Sequence, residues 1–215
     1  MIHFLRCFER QNLLERLGSL AFILDGPLAA FGPPAWLSAA ICAELKRLNQ
    51  KVRQSTGKDL LILGIEKSGE FVQHFEELDQ TEMAGQRLFS PRQYMLLTDK
   101  YIKDRILHSD SHKRYGQDTY FGRKFFYKTK SGARIVASIP FLSDQQDTLD
   151  SDDISLYPQF PTICTLLDRI VSSRYANAVS PLIAANAQAA IPLRLGSKVL
   201  TQLARALLGT AENGR

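Results

Sequence analysis

Two short, continuously apolar runs with a helical stretch between them constrain this chain most. Leu20-Ala-Phe-Ile-Leu24 runs directly into Asp25-Gly-Pro27, and Asp59-Leu-Leu-Ile-Leu-Gly-Ile65 runs into Glu66-Lys67. Each is bounded as a buried strand is bounded, by a turn or a charge. Between them, Ala35 to Gln50 follows Pro33-Pro34 and reads as a helix. Strand, helix and strand in this order predict a right-handed parallel βαβ unit with its helix lying on the sheet.

Upstream, His3 to Leu17 has no Gly or Pro and spaces Leu5, Phe8, Leu13, Leu14 and Leu17 as one amphipathic helix. Downstream, Ser68 is placed to cap a helix reaching about Asp79, and a helix is expected from about Thr98 to Leu107. Tyr120 to Tyr127 and Ala133 to Pro140 pair as a hairpin across Lys128-Thr-Lys-Ser-Gly132. Helices are then expected near 162–172, 181–190 and 196–208. At 215 residues and 45% hydrophobic, the chain can bury one sizeable core. We read a single α/β domain over 1–211 and a disordered tail over 212–215.

No apolar run approaches the ~18 residues that span a bilayer, and Met1 to Arg6 lacks the layout of a secretion signal. Cys7, Cys42 and Cys164 are odd in number and widely spaced, which fits core thiols in a reducing cytoplasm better than a disulfide framework or zinc knuckle.

The charge is unevenly distributed. Between Lys100 and Arg134 ten basic residues face three acids, whereas no Lys or Arg occurs from Ile135 to Asp168, where Asp144, Asp147, Asp150, Asp152 and Asp153 cluster. A basic stripe beside an acidic loop suggests a polyanion partner such as DNA, with Lys100, Lys103, Arg105, Arg123, Lys124 and Lys128 as candidate phosphate contacts. The interleaved Tyr101, Tyr115, Tyr120, Phe121, Phe125, Phe126 and Tyr127 offer stacking faces for bases, although about half are expected to fill the hairpin's core side. His108 and His112 share a helical face without a third ligand nearby and read as polar surface.

Ligands of parallel sheets bind beyond the carboxyl ends of strands, where Asp25, Glu66 and Lys67 fall. Asp25 reads equally well as the turn-former of an Asp-Gly pair. Glu9 interrupts the four-spaced row Leu5, Glu9, Leu13, Leu17, as an acid on a core-facing seam or as a solvated residue at its edge. From Glu9 to the helix end is about 12 Å, and the next strand climbs about 16 Å back to Asp25, which would set both acids on one rim. A divalent cation such as Mg2+ or Mn2+ would relieve their repulsion and offer phosphodiester chemistry.

Glu9 preceding Phe22-Ile-Leu-Asp25-Gly-Pro-Leu28, followed by Leu61-Ile-Leu-Gly-Ile-Glu-Lys67-Ser68, resembles the NurA domain family. The resemblance continues at Leu97-Thr-Asp-Lys-Tyr-Ile102, at Tyr120-Phe-Gly-Arg-Lys124 and at Ser180-Pro-Leu-Ile-Ala-Ala-Asn186. It implies an RNase H-like mixed sheet with flanking helices and a manganese-dependent nuclease acting on DNA ends in break repair. A homodimer seated on a hexameric HerA-type ATPase comes with the same resemblance. Glu9 and Asp25 would be metal ligands, and Lys67 would hold a phosphate or developing charge, unless it is a solvated lysine at a helix start.

Two departures stand out. The family's first acidic motif, an Asp-Gly-Ser on an early strand, has no counterpart here, so the expected domain is incomplete at its N-terminus. Asn186 stands where the family closes on a histidine, and an amide cannot exchange a proton near neutral pH. A catalytically impaired DNA-binding or ATPase-adaptor module of the same fold is therefore the alternative expectation. No Gly-x-Gly-x-x-Gly or P-loop marks a nucleotide enzyme of another kind.

Overall fold

Strand β1 (Ala21–Asp25) and strand β2 (Leu61–Glu66) lie side by side and parallel, joined by helix α3 (Ala35–Thr56), as their apolar runs require. A computed structural model describes residues 1–30, 35–83, 85–147, 150–172, 178–189 and 201–202. The chain divides into two compact units, Met1–Val179 and Ser180–Arg215.

In the first unit, helix α1 (Ile2–Arg10) and the single turn α2 (Leu14–Leu17) precede β1. One continuous helix was expected here. The polar pair Gln11-Asn12 ends it instead, with Asn12 in the left-handed region at φ 56°, a conformation asparagine tolerates far better than the β-branched or bulky residues. After β2 comes helix α4 (Glu70–Gln80), whose cap is Gly69 at φ 107° rather than Ser68. Two-residue strands β3 (Glu82–Met83) and β4 (Gln86–Arg87) pair with each other, and strand β5 (Tyr94–Leu96) joins the main sheet.

Thr98 caps the short helix α5 (Asp99–Tyr101), its hydroxyl accepting from the Tyr101 N–H. A π-helical turn over Ile102–Leu107 follows, ended by His108 at φ 48°. The expected hairpin forms from β6 (Gly122–Lys128) and β7 (Arg134–Pro140). Helix α6 (Phe160–Ile170) closes the unit, and the second unit contributes helix α7 (Ser180–Ala189). The helix expected over 196–208 and the tail over 212–215 fall outside the described residues, apart from 201–202.

The main sheet has the order β1-β2-β7-β6-β5, with β1 parallel to β2 and every other pair antiparallel. It is a mixed α/β sheet with helices on both faces. On one face α1, α2 and α3 bury Leu5, Leu17, Leu45, Leu48 and Val52 with Leu28, Ile62 and Phe121. Beside them on that face α4 lays Phe75 flat on Phe126, ring centroids 4.6 Å apart. On the other face Phe125 meets Phe160 of α6 edge-on. Each such side chain, taken out of water, contributes about 1.5–3 kcal/mol.

Beyond Asp25 the chain does not stay at the sheet's edge. Gly26, at φ 116°, turns it back so that Gly26–Leu28 crosses over β2 at Gly64. A Cβ on Gly64 would stand 2.5 Å from the Gly26 carbonyl oxygen, so only glycine admits the crossing. Leu28 then donates its N–H to Ser138 Oγ on β7 at 3.0 Å and accepts from the Phe121 N–H at 2.9 Å.

Candidate functional site

The parallel pair of strands sets the rim where ligands of such sheets collect. Asp25 stands in register with Ile65, and two residues beyond Ile65, Lys67 donates to Asp25 Oδ2 at 2.8 Å. Both side chains are partly open, at 43% for Asp25 and 35% for Lys67. The Asp-Gly turn and a charged pair at the rim are thus both present. A carboxylate beside an ammonium at an open rim can take a cation at the former or a phosphate at the latter.

Glu9 is engaged elsewhere. It lies on α1 against α3, where Arg47 forks onto both carboxylate oxygens at 2.6 and 2.7 Å and Lys51 adds a third bond at 2.6 Å. Arg47 also bonds Glu44, which in turn accepts from Arg6 at 2.7 Å. Hydrogen bonds from Arg47 and then Lys51 hold Glu9 down at about 2. Glu9 is held by side chains of α3, whereas Lys67 at the end of β2 donates to Asp25. The distance estimate assumed one straight helix, and the break at Asn12 removes its basis. Strand alternation separates them further. Phe22 and Leu24 face the layer of α1 and α3 that carries Glu9, whereas Asp25 takes the opposite parity.

Glu66, the other acid at a strand end, is paired with Lys124, and in the acidic loop Asp150 lies 3.7 Å from Arg114 and Asp153 accepts from the Ser155 N–H at 2.9 Å. Among the described residues no group of three or more His, Cys, Asp or Glu side chains is arranged around a metal site. Asp25 alone, with a lysine beside it, does not fit the several protein carboxylates that a two-metal centre requires.

The basic segment divides in two. Lys100 and Arg105 are exposed, and Lys103 is half-buried, its ammonium 2.7 Å from Asp99. Arg123, Lys124 and Lys128 are a correction to the expected DNA surface, since they are 1%, 3% and 5% exposed. Every residue of β6 is buried, because the strand is interior in the sheet and covered on both faces. Arg123 donates to the Ser151 carbonyl at 2.6 Å, and Lys128 reaches Asp79 at 2.5 Å and the Phe89 carbonyl at 3.0 Å. Burial pushes the Lys124 ammonium down, with Glu66 opposing it. Phe121, Phe125, Phe126 and Tyr127 are likewise core residues. Asn186 lies on α7 in the second unit.

A cavity of about 480 Å³ in the first unit brings Ser38, Ala39 and Ala43, which sequence reasoning passed over, together with Tyr115 and Tyr120, which it named as stacking faces. Ser38, Ala39, Cys42 and Ala43 of α3 form one wall, and Tyr115 and Tyr120 contribute from the loop before β6. Their signal was a run of small residues at helical spacing, Ser38-Ala-Ala-Ile-Cys42-Ala43, opposite two tyrosines. The chain matches no known protein family, and neither a curated protein nor a solved structure shows significant similarity to it.

Proposed function

We propose that the chain is a NurA-like, RNase H-like module that acts on DNA ends. The observation that carries this reading is the Asp25–Lys67 pair, 2.8 Å apart at the carboxyl rim of two parallel strands, formed by the two motifs that carry the family resemblance. In it Lys67 holds a backbone phosphate and Asp25 is the carboxylate offered to a divalent cation, Mn2+ or Mg2+. Lys100, Arg105, Lys113 and Arg114, all exposed, supply positive charge for the duplex. A homodimer and a HerA-type hexameric ATPase partner belong to the same proposal. Their support is the resemblance, and light scattering on the chain mixed with such an ATPase tests them.

A second reading is favoured by one specific observation. Glu9 is locked between Arg47 and Lys51, which leaves Asp25 as the one exposed candidate carboxylate at the rim. A hard cation takes about six oxygens, so water and DNA would supply most of its shell. Such a module binds DNA or seats an ATPase without turning over.

Digestion of an end-labelled duplex with Mn2+ separates the two. Cleavage by the chain that is lost in Asp25→Ala and Lys67→Ala carries the nuclease reading. Salt-dependent DNA binding without cleavage carries the second, and absence of both overturns the proposal.

A further inference from the structure

The cavity beside α3 exists because of what the helix lacks on that side. Ser38, Ala39, Cys42 and Ala43 recur at the spacing of one face, and none reaches far toward the sheet. Leu97, Ile102 and Phe141 supply apolar wall, and Gly122 leaves the start of β6 bare. Opposite the helix, Tyr115 donates its hydroxyl to the Tyr120 oxygen at 2.8 Å, with the two rings 5.0 Å apart. Gly116, at φ 65°, permits this placement, since a Cβ there would stand 2.1 Å from the Tyr120 ring. Ser38 Oγ, donating to the Thr119 carbonyl at 2.8 Å, ties the helix start to the same loop.

Among the described residues Lys46, Arg114, Lys124 and Asp144 supply the charge of the lining, and Lys124 is paired with Glu66. Lys124 is only 3% exposed, and its ammonium stands 4.8 Å over the Tyr120 ring. Asp144 is 96% exposed at 2.9 Å from Lys46, and Asp150 is 70% exposed at 3.7 Å from Arg114. Such surface pairs are worth little and exchange readily for a phosphate. The volume lies within the range of small-molecule sites.

A mostly apolar chamber lined by two tyrosines and by cations suits a heterocycle carrying an anionic tail. We propose that this cavity binds a nucleoside 5′-phosphate, with the base between the Tyr115–Tyr120 pair and the small face of α3, and the phosphate on Lys46 and Arg114. The choice of a nucleotide over another aromatic anion rests on the DNA-end reading, in which the ligand is a strand-terminal nucleotide or a released one.

Calorimetric titration of the full chain with dAMP and dTMP tests this, with deoxyadenosine, inorganic phosphate and benzoate as comparison ligands. Saturable 1:1 binding of both nucleotides is expected, weakened at least about tenfold for each comparison ligand. Ala43→Phe fills the chamber from an exposed helix position, and Arg114→Ala removes one cation from an exposed side chain. Each should weaken dAMP at least about tenfold while the circular dichroism spectrum is unchanged. No saturation by either nucleotide, equal binding of benzoate, or undiminished binding by folded Ala43→Phe overturns the proposal. Failure of the two readings is distinguishable: nucleotide binding without duplex digestion leaves the pocket standing, and digestion without nucleotide binding removes the pocket alone.

Discussion

Lys124 on β6 reaches Glu66 on β2 across the whole width of β7, so one ion pair links two strands that are not neighbours. The register makes this possible. Lys124 and Gly64 both oppose Ser138, and Glu66 lies two residues past Gly64 on the same face. The ammonium also lies 4.3 Å over the Phe71 ring, so its surroundings beyond Glu66 include aromatic faces on two sides.

Removing one partner of this pair should cost more than removing both. Lys124→Met leaves a carboxylate at 11% side-chain exposure beside aromatic rings and is expected to destabilise by about 3–5 kcal/mol. The double variant Lys124→Met/Glu66→Gln should recover a large part of that loss. Urea denaturation of the three proteins checks it, and a double variant no more stable than Lys124→Met would show the pair to be solvated.

The Glu9 cluster predicts an acid limit. Arg47 and Lys51 hold Glu9 at about 2, and Arg47 and Arg6 hold Glu44 at about 2, against about 4.3 in an unfolded chain. With folded values depressed, the stabilisation is complete above the unfolded value and drains away as pH falls from there toward 2. Thermal melts between pH 6 and pH 3 should show that loss, and Glu9→Gln should flatten it. An identical pH profile for Glu9→Gln would place the acid-sensitive groups elsewhere.

Gly64→Ala tests the crossing of Gly26–Leu28 over β2. The new methyl meets backbone at 2.5 Å, which no rotamer change relieves. Overpacking of this kind costs about 1–3 kcal/mol, or a Tm lower by roughly 2–12 °C for a unit of this size. A Tm within a degree of the parent would mean that the strap lies further from the sheet.

DNA binding, if the exposed cations carry it, should respond to Lys100, Arg105, Lys113 and Arg114 and not to β6. Each charge removed should reduce the slope of log affinity against log salt by about 1. Arg123→Glu should lower stability instead, because Arg123 is only 1% exposed. Fluorescence anisotropy across a salt series, beside melting curves, distinguishes the two effects.

Much of the architecture was legible because its signals are local. The apolar runs of β1 and β2, the intervening helix and the turn of the β6–β7 hairpin each lie within a few residues of one another. The burial of Arg123, Lys124 and Lys128 was not legible, because it depends on β6 being interior, on a Ser151 carbonyl 28 positions away and on acids 49 and 58 positions away. A Lys-rich strand reads as surface until Glu66 and Asp79 are placed beside it. The helix break failed for the opposite reason: Asn12 is a small local signal that the stronger leucine spacing outweighed. Asp25 and Lys67 meet because a parallel register sets two strand ends side by side.

Leu28 has its hydrogen-bonding partners 93 and 110 positions later, at Phe121 and Ser138. During synthesis the first strand and its helix therefore emerge without the segments that complete them. A nascent chain stopped short of Tyr120 leaves Leu28 without its two hydrogen-bonding partners and without the Phe121 ring of the same core cluster, so the leading βαβ unit is not a finished folding module. Such non-local closure slows folding and makes the newly made front half a natural client for chaperones until the hairpin has left the ribosome.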